Sequence, residues 1–201
     1  IPLDPEEFLP RNRSQNKSQL LGLHGKSVLV TGAGGSIGGQ ICCMVVEQKI
    51  NNLILVEHSE FNLYKIQADL EALLKQRKLN VNLFSVLADV CDEQGLQRIF
   101  KRFNPQIIYH AAAYKHVNIA EKNAGVVVFN NFIATKKLTE LSVQFNVEKF
   151  ILISTDKAVR STNIMGASKR LAEMSVQAAA SLSSTTIFTM VRFGNVIGSS
   201  G

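Results

Sequence analysis

No run of apolar residues in this chain approaches the roughly 18 needed to cross a bilayer, so the sequence holds no candidate membrane span. Nor do the first 17 residues place an apolar stretch behind a basic end, so they are not expected to be a secretory signal. A cytoplasmic chain with no membrane contact of its own is expected. Cysteine is scarce. Cys42 and Cys43 are neighbours in a helical pattern and point in different directions, and Cys91 stands apart. Their spacing offers no metal site and suits reduced packing residues in a reducing compartment. The net charge of +6 would suit an anionic partner, but Lys and Arg are scattered and form no basic stripe. A nucleotide accounts for that balance without nucleic acid. Proline is rare too, and three of the four prolines fall in the first 24 residues. Residues 1–24 therefore read as an arm or linker, and 25–201 as one folded domain. At 46% hydrophobic and 19% charged, the composition is that of a globular protein rather than a disordered one.

From Lys26 onward, short apolar runs alternate with amphipathic segments. Strands are expected at 27–31, 52–57, 82–88, 106–111, 149–154 and 185–192, most of them apolar on both faces as in a covered parallel sheet. Helices are expected at 36–48, 61–77, 92–103, 124–145 and 163–182. Regular alternation predicts an α/β fold, a Rossmann-type doubly wound parallel sheet of strand order 3-2-1-4-5-6.

The strongest local signal is Thr31-Gly32-Ala33-Gly34-Gly35-Ser36-Ile37-Gly38, where a buried strand runs through glycines into an amphipathic helix. Gly32 permits the tight turn, Gly35 lets a pyrophosphate reach the backbone, and Gly38 lets helix and strand pack closely. Free N–H groups of Ser36, Ile37 and Gly38 at the helix start suit the phosphates. No Gly-Lys-Ser/Thr follows, which excludes a P-loop. Glu57 ends the second strand, about twenty residues further on, where an acid binds a ribose diol and repels a 2′-phosphate. NAD is therefore expected as cofactor over NADP, although His58, Ser59 and Lys65 nearby leave room for a phosphate. Asp89, followed by Val90, either meets the adenine or caps the helix beginning at Asp92.

Strand five ends in Ser154-Thr155-Asp156-Lys157, at the sheet edge where ligands sit in this architecture. Short-chain dehydrogenases place a Tyr and a Lys four apart on the next helix, the Lys holding the nicotinamide ribose and lowering the Tyr pKa. Here Lys169 is present, but Met165 occupies the tyrosine position and cannot move a proton. Two readings stay open on these residues alone: a nucleotide-binding module without chemistry, or a reaction run by Thr155, Asp156 and Lys157.

Six motifs in register carry a resemblance over about 26–201. They are 31–38, Ser59-Glu60-Phe61-Asn62-Leu63-Tyr64, His110-Ala111-Ala112-Ala113-Tyr114-Lys115-His116, 154–158, Asn163-Ile164-Met165-Gly166-Ala167-Ser168-Lys169-Arg170, and Val191-Arg192-Phe193-Gly194-Asn195-Val196. Together they resemble the polysaccharide-biosynthesis branch of the nucleotide-sugar 4,6-dehydratases, an extended short-chain dehydrogenase group acting on UDP-N-acetylglucosamine. A Met at the tyrosine position fits that group. The resemblance implies a lyase in which bound NAD takes a hydride from sugar carbon 4 and returns it to carbon 6. Lys157 would take the carbon 5 proton, Asp156 would supply one to the departing hydroxyl if its pKa is raised, and Thr155 would bond the 4-oxygen. Lys169 would hold the ribose and support proton flow. Ala111, Ala112 and Ala113 would pass under the cofactor, while Lys115, His116, Phe193, Gly194 and Asn195 would face the UDP-sugar. Asn131 would tie helix to strand.

Ala134 and Ser161 depart mildly from the group's usual glycine and proline. The resemblance also implies a homo-oligomer, a membrane-anchored parent protein, and a role in capsule, O-antigen or similar glycan synthesis. The chain stops in mid-motif at 198–201, so an incomplete substrate domain is expected. The remaining alternatives are a UDP-sugar epimerase or dehydrogenase on the same scaffold, and a non-catalytic nucleotide-binding module.

Overall fold

The computed structural model describes residues 22–196. The arm expected at 1–24 falls almost wholly outside them, as does the 198–201 motif. Six strands form one parallel sheet: β1 (Ser27–Thr31), β2 (Asn52–Glu57), β3 (Asn82–Leu87), β4 (Ile107–His110), β5 (Lys149–Thr155) and β6 (Ile187–Phe193). Their order is β3-β2-β1-β4-β5-β6, the doubly wound arrangement the alternation predicts. Thr31 pairs with Val56 on one side and His110 on the other, and Thr155 pairs with Phe193. The strands therefore finish together along one edge, and the site is built there.

Alternation along β1 sorts the core. Val28 and Val30, with Leu53, Leu55 and Ile107, pack on Val45 and Val46 of α1 (Ser36–Val46) and on Leu63, Ile66 and Leu70 of α2 (Glu60–Arg77). Leu29, Ile54, Ile108, Phe150 and Leu152 point the other way. They meet Leu96 and Phe100 of α3 (Glu93–Phe103), Leu138 of α6 (Ala134–Gln144), and Ala172 and Val176 of α7 (Ile164–Leu182). Each fully buried aliphatic side chain contributes about 1.5–3 kcal/mol. The central strands β1, β2 and β4 carry most of that gain. The edge strands differ from the covered pattern: in β6, Ile187 and Val191 remain 60% and 43% exposed. Each edge strand has one neighbour and buries little on its outer face.

Two helical details depart from expectation. A short helix, α4 (Val117–Lys122), follows β4 where periodicity is too brief to register. The helix expected at 124–145 is α5 (Ala124–Val128), a π-helical segment (Phe129–Ile133) and α6. Asn130 and Asn131, both buried, lie within this π-helical segment. No helix among the described residues is long and apolar enough to cross a membrane. All three cysteines are free thiols.

Candidate active site

At the first β-to-α corner, the glycines are not equally crowded. Gly32 has φ +64, and a Cβ there would lie 2.7 Å from the Ala112 backbone. A Cβ on Gly38 would collide with the Gly32 carbonyl oxygen, and one on Gly34 would sit 2.5 Å from Asn62 Cβ. Gly35 is different. Its φ is −75, and a Cβ would meet only the Gly32 carbonyl oxygen at 3.3 Å. Gly35 is the least crowded glycine of the turn, and the space before it opens on the cleft. Helix α1 has no side-chain cap and no acidic residue in its first turn, and Ser36, Ile37 and Gly38 line the cleft. Uncapped N–H groups and the positive end of the helix dipole suit a pyrophosphate.

Glu57 is buried beside this turn. Its Oε2 accepts from Gly34 N at 3.0 Å, and its Oε1 from His58 N and Ser59 N at 3.0 and 3.1 Å. The carboxylate thus clasps the glycine turn to the end of β2. His58 Nδ1 lies 3.1 Å from Oε1, on an otherwise exposed ring. Asp89 and Val90 line the same smaller recess of about 170 Å³ with Ala112 and Asn130. Asp89 Oδ1 accepts from Cys91 N at 2.8 Å, and α3 starts after Asp92, so Asp89 braces a turn rather than capping the helix. Burial first, then Asp89, pushes the Cys91 thiol up to about 12.

The main cleft, about 610 Å³, continues from the glycine turn across the sheet edge to the loop after β6. It gathers most of the expected residues: Ala111, Ala113, Lys115, His116, Thr155, Lys157, Met165, Lys169, Phe193, Gly194 and Asn195. Three expected residues lie outside both recesses. Gly34 packs on α2, and Ser59 is the N-cap of α2, accepting from Asn62 N at 3.3 Å. Asp156 is the third. Its Oδ1 accepts from Thr155 Oγ1 at 3.1 Å, and it stands 59% exposed, 3.6 Å from Lys157 Nζ. The Thr155 hydrogen bond, aided by Lys157, holds its carboxyl below the usual range. That is the reverse of the raised pKa a proton donor needs, because water still reaches the group. Lys157 Nζ donates to Asn195 Oδ1 at 3.1 Å.

Helix α7 brings Met165 and Lys169 to the cleft wall. Asn163 caps it, accepting from Gly166 N at 2.8 Å, and Glu121 of α4 accepts from Ile164 N at 2.7 Å. A Cβ on Gly166 would strike the Lys157 carbonyl oxygen, so this glycine lets the helix press against the turn after β5. Met165 is buried against Ala120 and Val127 and offers the cleft only an apolar edge. Lys169 Nζ donates to the Ile153 carbonyl at 2.7 Å, and burial pulls its amine down to about 8 despite Glu173 one turn away.

A buried polar chain braces the floor. Thr135 Oγ1 donates to the Asn131 carbonyl, so it accepts from His110 Nε2. His110 Nδ1 is then the acceptor for Thr31 Oγ1 at 2.7 Å. This assigns one tautomer, and burial, aided by Lys169, lowers the ring to about 3. Asn131 takes Tyr114 N on its oxygen and donates to Tyr114 O and Ser168 Oγ, tying the loop after β4 to α7. Tyr114 and Ser154 line the cleft as well, though neither was singled out as a site residue in the sequence. Their positions, beside the alanine run and before Thr155, were the available signal.

The chain is 40% identical over 201 residues to "Capsular polysaccharide biosynthesis protein CapD" of Staphylococcus aureus, covering 99% of this chain and 33% of that one. It is 29% identical over 182 residues to "UDP-N-acetylglucosamine 4,6-dehydratase (inverting)" of Campylobacter jejuni, covering 89% and 51%. Among solved structures, Pen from Bacillus thuringiensis superposes with a TM-score of 0.80 at 31% identity, covering 89% of this chain and 55% of that one. The chain thus spans between a third and about half of these relatives. The family described as polysaccharide biosynthesis protein matches residues 28–201, and the chain belongs to it.

Proposed function

We propose that the cleft holds a nicotinamide dinucleotide, NAD in preference to NADP, and serves a UDP-sugar 4,6-dehydratase that feeds surface-glycan synthesis. One observation carries the reading: Lys157, Lys169 and Thr155 share a cleft with an uncapped glycine turn, while an apolar Met165 fills the position of the usual proton-moving tyrosine. Bound NAD supplies the hydride acceptor at sugar carbon 4 and the donor at carbon 6. The 4-keto group acidifies the carbon 5 hydrogen, and Lys157 takes that proton once the bound sugar shuts water away from its amine. Lys157 passes that proton to the carbon 6 hydroxyl, which leaves as water; as the hydride returns to carbon 6, carbon 5 takes a proton from solvent, in place of the one the 4-hydroxyl released. Asp156, beside Lys157, steadies the ammonium in between; it donates directly only if the sugar shuts water out above it and raises its pKa. Thr155 bonds the 4-oxygen. Lys169 holds the ribose, and Lys115, His116 and residues 193–195 face the nucleotide-sugar.

Incubation of the protein with NAD and UDP-N-acetylglucosamine in deuterium oxide tests this. The expected product has lost one water and carries deuterium at carbon 5. Unchanged mass with an inverted hydroxyl would point to an epimerase, and accumulation of NADH to a dehydrogenase. Either outcome removes the proposal.

A further inference from the structure

The Glu173 carboxylate is fully buried behind the cleft and has four hydrogen bonds. Oε1 accepts from Ser154 Oγ at 2.7 Å and Arg192 Nε at 2.8 Å; Oε2 accepts from Arg192 Nη2 at 2.7 Å and Arg170 Nη1 at 3.0 Å. Ser154 and Arg192 are paired residues on β5 and β6, so one carboxylate on α7 gathers three elements at the cleft end of the sheet. We propose that Glu173 is a positioning residue that fixes both site amines, Lys169 through α7 and Lys157 through Arg192 and residues 193–195.

Both routes can be followed on named atoms. Lys169 lies four residues before Glu173, on the same helix face. Its amine is pinned to Ile153, the residue before Ser154, which itself donates to Glu173. In the other direction, Arg192 sits one residue before β6 ends at Phe193. A two-point guanidinium–carboxylate fork fixes direction as well as distance, which a single ammonium contact does not. It therefore sets where the chain leaves the sheet, and three residues later Asn195 Oδ1 accepts from Lys157 Nζ. Cross-strand pairing and the core already join β5 to β6 along their length. An apolar side chain in place of a buried ion pair is often no less stable. A charged hub at this end is better explained by placement than by cohesion. The hydrogen bonds from Arg192, Ser154 and Arg170 outweigh burial and pull the Glu173 carboxyl down to about 2, so the hub carries a carboxylate at neutral pH. Lys169 faces two titratable groups, this carboxylate and the neutral His110 ring.

The inference rests on the proposed function only in taking Lys157 and Lys169 as the working amines, and its test needs neither NAD nor sugar. Acylation of individual lysines by acetic anhydride is followed by peptide mass spectrometry from pH 6 to 10 in wild type and Glu173→Gln. Lys157 is expected to react about fivefold faster once released from Asn195, the factor one typical net hydrogen bond represents. The Lys169 profile is expected to move to lower pH, with exposed Lys75 on α2 unchanged as reference. Folded Glu173→Gln whose two lysine profiles superpose on wild type overturns the proposal. Where Glu173→Gln does not fold, Arg192→Lys keeps the charge but loses the fork. It must speed Lys157 acylation in the same way, and an unchanged rate overturns the proposal. Absence of dehydratase activity alongside these shifts would remove the proposed function and leave the positioning role standing.

Discussion

The Lys169 amine donates to the Ile153 carbonyl at 2.7 Å, with both residues buried in the wall of the cleft. An ammonium has three donors, and no other partner for this one is found among the described residues, so the remaining donors are left for the cleft. Burial sets the amine at about 8, so a sizeable share is neutral near physiological pH. An amine at the balance point both donates to a ribose and passes a proton.

Replacing it should separate stability from binding. The folded pKa of about 8 lies below the unfolded value, so burial opposes folding fully below pH 8, and the penalty fades as pH rises toward about 10.5. Lys169→Met is therefore expected to raise stability by about 1 kcal/mol at pH 7, after the lost Ile153 hydrogen bond is set against relief of the charge. The gain should shrink through pH 8–10, while affinity for NAD falls. Thermal melts across that range, paired with NAD titrations, check both halves.

His110 titrates in the opposite window. Its ring stays neutral when folded, down to about 3, whereas the unfolded chain takes a proton near 6.5. Stability is complete above 6.5 and declines as pH falls from there toward 3, by up to about 1.4 kcal/mol per pH unit. His110→Gln is expected to be less stable at pH 7 but flatter between pH 6.5 and 4. Urea unfolding at several pH values gives the slope; an unchanged slope contradicts a buried neutral ring.

Under the proposed function, Glu57 sets the choice of dinucleotide. A carboxylate fixed by Gly34, His58 and Ser59 N–H groups cannot swing away from a 2′-phosphate. Glu57→Gln is expected to weaken NAD and strengthen NADP, narrowing their affinity ratio by about tenfold, the factor for 1.4 kcal/mol. Competitive titration measures that ratio, and an unaltered ratio assigns the choice elsewhere.

Gly38 and Gly35 should fail differently. Gly38→Ala drives a methyl into the Gly32 carbonyl and is expected to cost about 1–3 kcal/mol, the range for overpacking. Gly35→Ala meets only a 3.3 Å contact and should cost about 1 kcal/mol at most, in line with Ala at a helix N-cap. Melting temperatures of the two variants decide this, and equal losses would contradict it.

These contrasts show where the sequence was legible. Strand order followed from alternation of short apolar runs, because one periodic signal repeated six times. The glycine spacing located the corner, yet it could not tell Gly35, which opens the cleft, from Gly34, which seats Asn62. Position alone points to Ser59 and Asp156, but that Ser59 caps α2 and that Asp156 faces solvent is decided by local hydrogen bonding. The π-helical turn left no trace in the apolar pattern, since one added residue per turn shifts phase without changing composition. Glu173 was hidden for another reason: apart from Arg170 on its own helix, its partners lie 19 residues to either side, and only folding brings Ser154 and Arg192 to it.

The central claim is that phosphates of a dinucleotide rest on the open face of Gly35, with its reactive end beside Lys157 and Lys169. Calorimetric titration of NAD, then UDP-N-acetylglucosamine, into wild type and Gly35→Ala measures it most directly. One NAD per chain, a sugar response that needs NAD first, and at least about tenfold weaker NAD binding by a folded Gly35→Ala are predicted, tenfold being 1.4 kcal/mol. Equal NAD binding by the two proteins, or none by wild type, would contradict it.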